Sequence, residues 1–322
     1  MEVKVGTFNL NNLFSRYNFK AEITSSTENK VTGEITYTFE PSSSYTLRTY
    51  QGKLIKKKEE KELKRIAERI IEMNLDVLAV QEVEDIDTLH YFNKNNLNDM
   101  YQYEVLHEGN DHRLIDVGLL SKYPVGAIIS WQQRVHPDRP DERVFSRDLL
   151  QVEILDEMRS KTLFTLFNNH LKSQFINYWE KNKEEIKKEG DEKRRRQIET
   201  ITTIIKERMK EDDPYIVLGD MNAGLDSDSL KPLIEDLSLK LVNALEAPKE
   251  TVSLNIRKDS PVTTAWTHLF KEKGKPAKYE LYDQIWLSNE LASKQTEAWI
   301  GRRRTLTKDG SDHDPAWIVL TL

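Results

Sequence analysis

The chain has 322 residues, of which 38% are hydrophobic and 32% charged, and its formal net charge is -6. It contains no cysteine, which excludes disulfides, thiolate metal sites and cysteine nucleophiles. The acidity argues against a general nucleic-acid coating function, but a phosphate-handling enzyme needs positive charge only locally, and a metal ion can supply it.

The N-terminal residues predict a strand and no targeting segment. Residues Val3 to Leu10 alternate polar and apolar side chains, and they lack the charged head and long apolar core of a signal peptide. No run approaches the roughly 18 apolar residues of a membrane span. We therefore expect a cytoplasmic monomer from the sequence as it stands, although a secretion signal removed from a precursor would leave no trace.

A long polar segment follows this strand. Residues 15–52 are rich in Ser, Thr and Asn, and they contain one alternating stretch, Glu34 to Phe39. Two interpretations stay open, a surface hairpin and a flexible insertion, and a mobile loop at this place could contact substrate. We treat the segment as an insertion in one domain covering residues 1–322, because the candidate site residues are spread from the first strand to the last.

The remaining elements are predicted from hydrophobic periodicity. A helix is predicted over Leu54–Met73, and its apolar face is formed by Leu63, Ile66, Ala67, Ile70 and Ile71. A second helix is predicted over Glu192–Met209, and Gly190 should separate it from the polar loop before it. Strands are predicted over Asp76–Gln81, Arg113–Ser121, Leu149–Leu155, Thr162–Asn168, Tyr215–Gly219, Tyr279–Leu287 and Ala316–Leu320.

Polar residues lie at the ends of several of these strands. Glu82, His170 and Asp220 follow apolar runs, and Asp312 and His313 precede the last one. Because a buried carboxylate is costly unless it is paired, this recurrence indicates a convergent site. Hard oxygen donors without cysteine or a closely spaced histidine pair favour Mg2+, with Mn2+ as the alternative, over Zn2+. Such ions bind carboxylates and substrate phosphates, which points to phosphoryl chemistry.

Six short motifs carry a family resemblance. In chain order they are Thr7–Asn11 (TFNLN), Val80–Glu82 (VQE), Asn169–Ser173 (NHLKS), Leu218–Asn222 (LGDMN), Tyr282–Ser288 (YDQIWLS) and Ser311–Pro315 (SDHDP). Together they resemble the ordered motifs of the endonuclease/exonuclease/phosphatase superfamily, which has the DNase I-like fold. The resemblance covers nearly the whole chain, and the NHLKS and SDHDP forms are most similar to bacterial nuclease-like members.

The resemblance implies a fold and a set of residue roles. The fold would be an α/β four-layer α/β/β/α sandwich, in which two packed mixed β-sheets are flanked by helices. The roles follow from motif position: Glu82, Asp312 and Asn9 as metal ligands; Asp220, His313, His170, Asp283 and Asn222 as catalytic residues; Asn9, Asn11, Lys172 and Asn222 as substrate-binding residues.

Within this set, Asp220 would position or deprotonate the attacking water, and Asn222 would hold the phosphate. His313, oriented by Asp283, would contact the phosphoryl group or transfer a proton. His170 would be the second imidazole, with Asp116 as the candidate to orient it.

Several of these residues also have a purely structural interpretation. Asn9 could cap or edge a strand, Asp220 and Asn222 could form an Asx turn, and Asp283 could pair with any nearby cation. Outside the motifs, the aromatic pair Tyr178–Trp179 could stack on a base or pack in the core. The basic clusters Lys56–Lys58, Lys193–Arg196 and Arg302–Arg304 are typical of solvated faces, and Arg302–Arg304 is the cluster we expect to contact phosphates.

Three functions are compatible with the sequence. The leading hypothesis is a Mg2+-dependent phosphodiesterase that cleaves DNA or RNA, so nucleic acid is the expected partner. The second is a phosphatase or phospholipid phosphodiesterase acting on inositol phosphates or sphingomyelin, for which a basic pocket or an apolar loop would be expected. The third is a binding module without catalysis, which the completeness of the polar set disfavours.

Overall fold

The computed structural model describes residues 1–14, 17–19, 23–39, 45–47, 58–176, 181–251, 265–270, 276–303 and 309–322. Its helices are α1 (Glu60–Met73), α2 (Ile86–Asn96), α3 (Lys183–Arg208), α4 (Lys231–Ile234) and α5 (Asn289–Ala292), with a 3-10 turn at Asp228–Leu230 before α4. Within these ranges, no helix combines the length and apolar composition needed to cross a membrane.

The strands are short and numerous. In chain order they are β1 (Glu2–Leu13), β2 (Tyr17–Phe19), β3 (Ile23–Asn29), β4 (Glu34–Phe39), β5 (Tyr45–Leu47), β6 (Val77–Val83), β7 (Tyr103–Leu106), β8 (Asp116–Ser121), β9 (Val125–Ser130), β10 (Val135–His136), β11 (Arg139–Arg143), β12 (Leu149–Leu155), β13 (Thr162–His170), β14 (Tyr215–Asp220), β15 (Val242–Asn243), β16 (Lys249–Glu250), β17 (His268–Phe270), β18 (Lys278–Glu280), β19 (Asp283–Leu287), β20 (Gln295–Ile300) and β21 (Ala316–Thr321).

Two large mixed sheets contain most of these strands. One has seven strands in the order β16-β20-β21-β1-β6-β8-β7, and the other has six in the order β15-β19-β14-β13-β12-β9. The pairs β1/β6 and β13/β14 are parallel, whereas β1/β21 and β14/β19 are antiparallel. The α/β class with two mixed sheets is therefore confirmed.

The packing of the two sheets follows from three apolar clusters. The first lies between the sheets, where Val5 and Ala79 of one sheet join Leu218 and Ile285 of the other. The second lies between the seven-stranded sheet and α1 and α2, and the third lies between the six-stranded sheet and α3. Since both faces of each sheet are covered, a central strand is apolar on both sides, which explains the unbroken run in β6. These three interfaces give the predicted four-layer sandwich.

Helix α1 is shorter than predicted, and one of its assigned face residues is wrong. It begins at Glu60, while the stretch from Leu54 to Lys57 lies outside the described residues. Ile70 is fully buried, but Ile71 is 43% exposed. Consecutive residues of a helix are about 100° apart, so Ile71 lies at the edge of the buried face.

Helix α3 is longer than predicted. It begins at Lys183 and continues through Gly190, which therefore does not end the polar loop. A single glycine costs a helix only about 1 kcal/mol relative to alanine. The Lys and Glu residues on both sides of Gly190 are good helix formers, and the isoleucines of α3 are buried against the six-stranded sheet.

Two predicted strands also change at their ends. Arg113 to Ile115 do not belong to β8, because Leu114 has a φ of 55° and its amide donates to Asp111 in a turn. The predicted strand Tyr279–Leu287 divides into β18 and β19, which belong to different sheets. Helix α2 and strands β7, β9 and β20 were not predicted.

The polar segment after β1 contains a hairpin. Strands β3 and β4 pair antiparallel, with Asn29 opposite Glu34, which favours the hairpin over an unstructured insertion. Strands β2 and β5 pair in the same way. The assignment of residues 1–322 to one domain stays a prediction.

Candidate active site

The sequence-predicted polar residues meet at one edge of the two sheets. Strand register aligns His170, Asp220 and Asp283 in one row across three neighbouring strands of the six-stranded sheet. Asn9 and Glu82 lie toward the carboxyl ends of β1 and β6 in the facing sheet. Parallel pairing within β1/β6 and within β13/β14 brings each pair of carboxyl ends to one sheet edge. The geometry thus unites side chains that are far apart in sequence.

Asp220 lies at the centre of this group. Its Oδ2 accepts a hydrogen bond of 2.9 Å from Asn9 Nδ2, and its Oδ1 accepts one of 2.9 Å from the backbone amide of Asn222. His170 Nε2 lies 3.5 Å and His313 Nε2 lies 3.9 Å from the same Oδ2 atom. Burial raises the pKa of Asp220, and the charge of His313 opposes this shift. We call these five residues the Asp220 centre.

His313 is held by a carboxylate on its other ring nitrogen. Its Nδ1 lies 2.7 Å from Asp283 Oδ2, and its backbone amide donates to Ser311 Oγ at 3.0 Å. Burial alone would lower the pKa of His313, but the charges of Asp283 and Asp220 outweigh burial and raise it well above its usual value. His313 is therefore a cation at neutral pH.

His170 has the opposite character. Burial lowers its pKa well below the usual value, and the charges of Arg147 and His313 add to this effect. Its Nε2 faces Asp220 and lies 3.9 Å from Glu82 Oε1. Its Nδ1 is buried and has no hydrogen-bond partner among the residues that the structure describes.

Within the described residues, no hydrogen bond or ion pair joins Asp116 to His170. The Oδ1 atom of Asp116 accepts a hydrogen bond of 2.9 Å from Gly109 N, and its Oδ2 is buried without a hydrogen-bond partner in the same residues. Burial raises the pKa of Asp116 to about 7, and the nearby carboxylates of Glu108 and Asp111 add to the shift. The orienting role of Asp116 therefore stays a prediction.

Glu82 is presented by a strained backbone. Its φ is 61°, a left-handed conformation that residues other than glycine seldom adopt, and Asn11, Asn12 and Asn222 share it with φ values of 47°, 61° and 48°. Such conformations cost free energy and are concentrated at functional sites. Glu82 Oε2 accepts a hydrogen bond of 3.0 Å from Asn12 N. The backbone strain therefore aims the carboxylate at the site.

Asp312 and two residues that were not predicted complete the rim. Asp312 Oδ1 accepts from Asn11 Nδ2 at 2.8 Å, and its Oδ2 lies 3.8 Å from His268 Nε2. Burial would raise the pKa of Asp312, but the nearby imidazoles of His268 and His313 hold it well below the usual value. Lys58 Nζ donates to Asn11 O at 2.5 Å. No sequence motif surrounds His268, and Lys58 belongs to a run that is typical of solvated faces.

The donor set fits a hard divalent cation. The charge of Asp312 adds to the rise that burial causes in the pKa of Glu82. Burial lowers the pKa of Lys58, and the charges of Glu82 and Asp312 oppose that shift, so the three groups share one neighbourhood. Burial raises the pKa of Glu82, so its negative charge is incompletely balanced by the protein. Asn9 is less available than predicted, because its side chain already bonds Asp220 and the amide of Asn11.

Metal-ligating atoms converge in two triads within the described ranges. Their members are His268, Asp312 and His313 in one, and Asp220, Asp283 and His313 in the other. Glu82 belongs to neither triad, so its role as a metal ligand stays a prediction.

Lys172 lies beside the centre rather than in it. Its Nζ donates to Ser173 O at 3.3 Å, and the side chain lines a separate cavity of about 390 Å3. The preceding carbonyl, that of Leu171, accepts hydrogen bonds from Asn222 Nδ2 at 3.2 Å and from Arg147 Nη1 at 3.0 Å. Arg147 was not predicted, because a lone arginine outside a motif carries no signal in one sequence.

The basic cluster expected to contact phosphates is structural. Arg302 and Arg303 are buried, and each lies 3.1 Å from a carboxylate oxygen of Asp314. Arg302 also pairs with Glu250. The prediction was wrong because these guanidinium groups are neutralised inside the protein. Arg304, Lys56, Lys57 and the pair Tyr178–Trp179 lie outside the described residues.

Comparisons with known proteins place these features in context. The model of the Endonuclease/Exonuclease/phosphatase family matches residues 6–313. No curated protein matches the chain.

Among solved structures, the chain is similar to D. rerio TDP2 complexed with single strand DNA product, at 13% sequence identity and a TM-score of 0.57. The match covers 100% of this chain and 99% of the TDP2 chain. An endonuclease/exonuclease/phosphatase from Bacteroides vulgatus is 16% identical, with a TM-score of 0.58 and coverage of 100% and 99%. An AP endonuclease from Archaeoglobus fulgidus is 14% identical, with a TM-score of 0.58 and coverage of 99% and 100%. At these identities the likeness shows the fold.

Proposed function

The chain belongs to the endonuclease/exonuclease/phosphatase family, and we propose that it is a divalent-metal-dependent phosphodiesterase that hydrolyses nucleic-acid phosphodiester bonds. The observation that carries the proposal is the convergence of His170 Nε2 and His313 Nε2 on Asp220 Oδ2, with one imidazole neutral and the other cationic. Paired groups with opposite protonation are the usual equipment for general acid and base chemistry.

The protein's own residues suggest a division of labour. Burial raises the pKa of Asp220, which makes its carboxylate a stronger base. Asp220 therefore suits the task of orienting an attacking water and accepting its proton. His313 is protonated and can donate a hydrogen bond to a phosphoryl oxygen. His170 is neutral, so its Nε2 can bond to the water or to the phosphate without adding positive charge.

The remaining polar residues hold this arrangement in place. Asn9 fixes the carboxylate of Asp220, and Asp283 fixes the ring of His313. Glu82 and Asp312 would hold the divalent ion, which when bound supplies positive charge to the phosphoryl oxygens. Each of these contacts reduces the reorganisation needed at the moment of reaction.

The choice of nucleic acid rests on likeness of fold together with the site. D. rerio TDP2 is described in complex with single strand DNA product, and the Archaeoglobus fulgidus protein is described as an AP endonuclease. Both share the arrangement of layers with this chain at low identity. They support nucleic acid as the first substrate to test.

A second candidate is a phosphatase acting on small molecules with several phosphates. The observation that favours it is the cavity that Lys172 lines, because arginines and a second lysine also line it. The sequence analysis expected such a basic pocket for this function but did not identify one. A binding module without catalysis is disfavoured, since the predicted Asp220, His313, His170 and Asp283 do meet in space.

The test is a substrate panel with and without metal. Protein dialysed against EDTA should not hydrolyse bis(p-nitrophenyl) phosphate, and added Mg2+ or Mn2+ should restore activity. The panel contains single- and double-stranded DNA, RNA, inositol phosphates and sphingomyelin, and we expect the highest kcat/KM on a nucleic acid. Activity that survives EDTA would overturn the metal assignment, and a preference for inositol phosphates would establish the second candidate.

A further inference from the structure

A concave basic surface lies beside the Asp220 centre. This cavity, of about 390 Å3, falls in the size range of small-molecule pockets. Its positively charged lining residues are Arg113, Arg143, Arg147, Lys172 and Lys193, and its only carboxylate is that of Asp111. We call it the basic cavity. It combines residues from the turn before β8, the end of β11, the segment before β12, the segment after β13, and α3.

The basic cavity and the Asp220 centre share a wall. The Leu171 carbonyl accepts from Arg147 Nη1, on the cavity side, and from Asn222 Nδ2, on the side of the centre. The charge of Arg147 also reaches the far side of this wall: it opposes the rise that burial causes in the pKa of Glu82, and it adds to the fall that burial causes in the pKa of His170. A single extended ligand can therefore occupy both places.

Among the described residues that line the cavity, positive charges outnumber negative ones. Asp111 lies 3.1 Å from Arg113 Nε and 3.1 Å from Arg147 Nε, so one carboxylate serves two guanidinium groups. Arg147 is buried, so its share of this carboxylate is not supplemented by solvent. Burial lowers the pKa of Lys172, and the charge of Arg147 lowers it further.

The other three cations lack carboxylate partners in the part of the chain that the structure describes. Arg143 donates to Asn110 Oδ1 at 2.6 Å, Lys172 donates to a backbone carbonyl, and Lys193 makes no ion pair there. Elsewhere on α3, Arg195 pairs with Glu192 at 3.1 Å, as expected for a solvated face. The cavity is thus unlike the helix surface around it.

We propose that the basic cavity is a subsite for a second phosphate of the substrate, held by Arg143, Lys172 and Lys193 while another phosphate is attacked at the Asp220 centre. The inference rests on the proposed function, because it assigns a preference to that same reaction. Arginine and lysine are the residues that bind phosphate in charge-assisted hydrogen bonds. The second phosphate is either a terminal phosphomonoester or the neighbouring diester of a strand.

Three thymidine substrates distinguish these two sources. The dinucleotide d(TpT) has one phosphate, d(pTpT) adds a terminal phosphomonoester, and d(TpTpT) adds a second diester. In the wild-type protein with Mg2+, kcat/KM should be higher for at least one of the longer substrates than for d(TpT). The substrate with the larger advantage identifies the source, and equal values for all three would overturn the proposal.

Substitutions locate that advantage in the cavity. In Arg143→Gln and Lys193→Gln, the ratio of kcat/KM between the preferred substrate and d(TpT) should fall about tenfold, as expected when a bond to a charged group is lost. The matched controls are Arg139→Gln on β11 and Lys188→Gln on α3, which are exposed and lie outside the cavity lining. They should keep the ratio, and an unchanged ratio in the cavity variants would contradict the subsite.

A binding measurement makes the test independent of turnover. In EDTA, the carboxylates of Asp220, Glu82 and Asp312 repel anions, so titrated inorganic phosphate should bind at the basic cavity. Calorimetry should show binding that weakens about tenfold in Arg143→Gln and Lys193→Gln but not in the controls. If the wild-type protein binds phosphate at the cavity but hydrolyses none of the substrates, the proposed function is wrong and the subsite is retained. If all variants bind phosphate equally, the subsite is wrong.

Discussion

Two buried carboxylates, Asp314 and Asp220, lie near the same edge of the sheets, and they differ in the positive charge that surrounds them. Asp314 is completely buried and lies 3.1 Å from guanidinium nitrogens of Arg69, Arg302 and Arg303. Asp220 is 1% exposed, yet it contacts amides and imidazoles instead of lysine or arginine within the described ranges.

The difference separates structural charge from charge held ready for chemistry. A buried carboxylate with three guanidinium partners is satisfied, and removing it leaves cations exposed to a low dielectric. At Asp220 the effect of burial exceeds that of the one cationic imidazole, so the pKa of this carboxylate is raised and its charge lowers the stability of the folded state. Proteins tolerate such groups mainly at functional sites. The motif Ser311–Pro315 contributes one residue to each group: His313 contacts Asp220, and the adjacent Asp314 pairs with the arginines.

The sharpest way to separate the two groups is to neutralise Asp220. In Asp220→Asn, kcat should fall by about three to four orders of magnitude, since a positioned base is lost from the transition state. The melting temperature should stay equal or rise, because the variant removes an incompletely paired buried charge. Asp212→Asn, on the exposed turn before β14, is the control. Full activity in Asp220→Asn would remove Asp220 from its role.

The complementary change is Asp314→Ala. It should lower the free energy of unfolding by about 3 to 5 kcal/mol, the usual effect of breaking a buried ion pair from one side. Urea unfolding followed by circular dichroism measures the change, with the exposed Asp212→Ala as control. If Asp220→Asn destabilises the fold more than Asp314→Ala does, the division into structural and functional charge is wrong.

The sequence predicted the layers of this fold because hydrophobic periodicity follows directly from burial. Strands β12 and β21 were predicted almost to the residue, and both lie in sheets covered on two faces. Where local signals conflicted with packing, packing decided the outcome. Gly190 continues a helix despite its low propensity, and the run after Tyr279 divides between two sheets.

The site was predictable to the extent that its residues lie in motifs. Asp220, His313, His170 and Asp283 meet as expected from their positions at strand ends. The basic cavity could not be predicted, because its cations come from five separate segments with no common spacing. The ion-pairing of Arg302 and Arg303 was equally invisible, since a run of arginines does not show which carboxylate faces it.

The smallest expected effect concerns Asp283, which contacts His313 of the Asp220 centre and forms a close ion pair as Asp314 does. Burial favours neutral His313, and the charge of Asp283 is the main influence that raises its pKa. In Asp283→Asn that charge is lost, so the pKa of His313 should fall. The pair stabilises the fold below the unfolded histidine pKa of about 6.5, and the stability is lost as pH rises through the raised folded value.

If protonated His313 donates to the phosphoryl oxygen, the same change must appear in catalysis. In Asp283→Asn the alkaline limb of kcat/KM should move to lower pH, and the maximum should fall about tenfold, within the range for loss of general acid efficiency. Asp283→Glu keeps the charge and should return the limb toward the wild-type position. A lower rate with an unmoved limb in both variants would mean that Asp283 only packs the ring, and would leave His170 as the imidazole that sets the pH dependence.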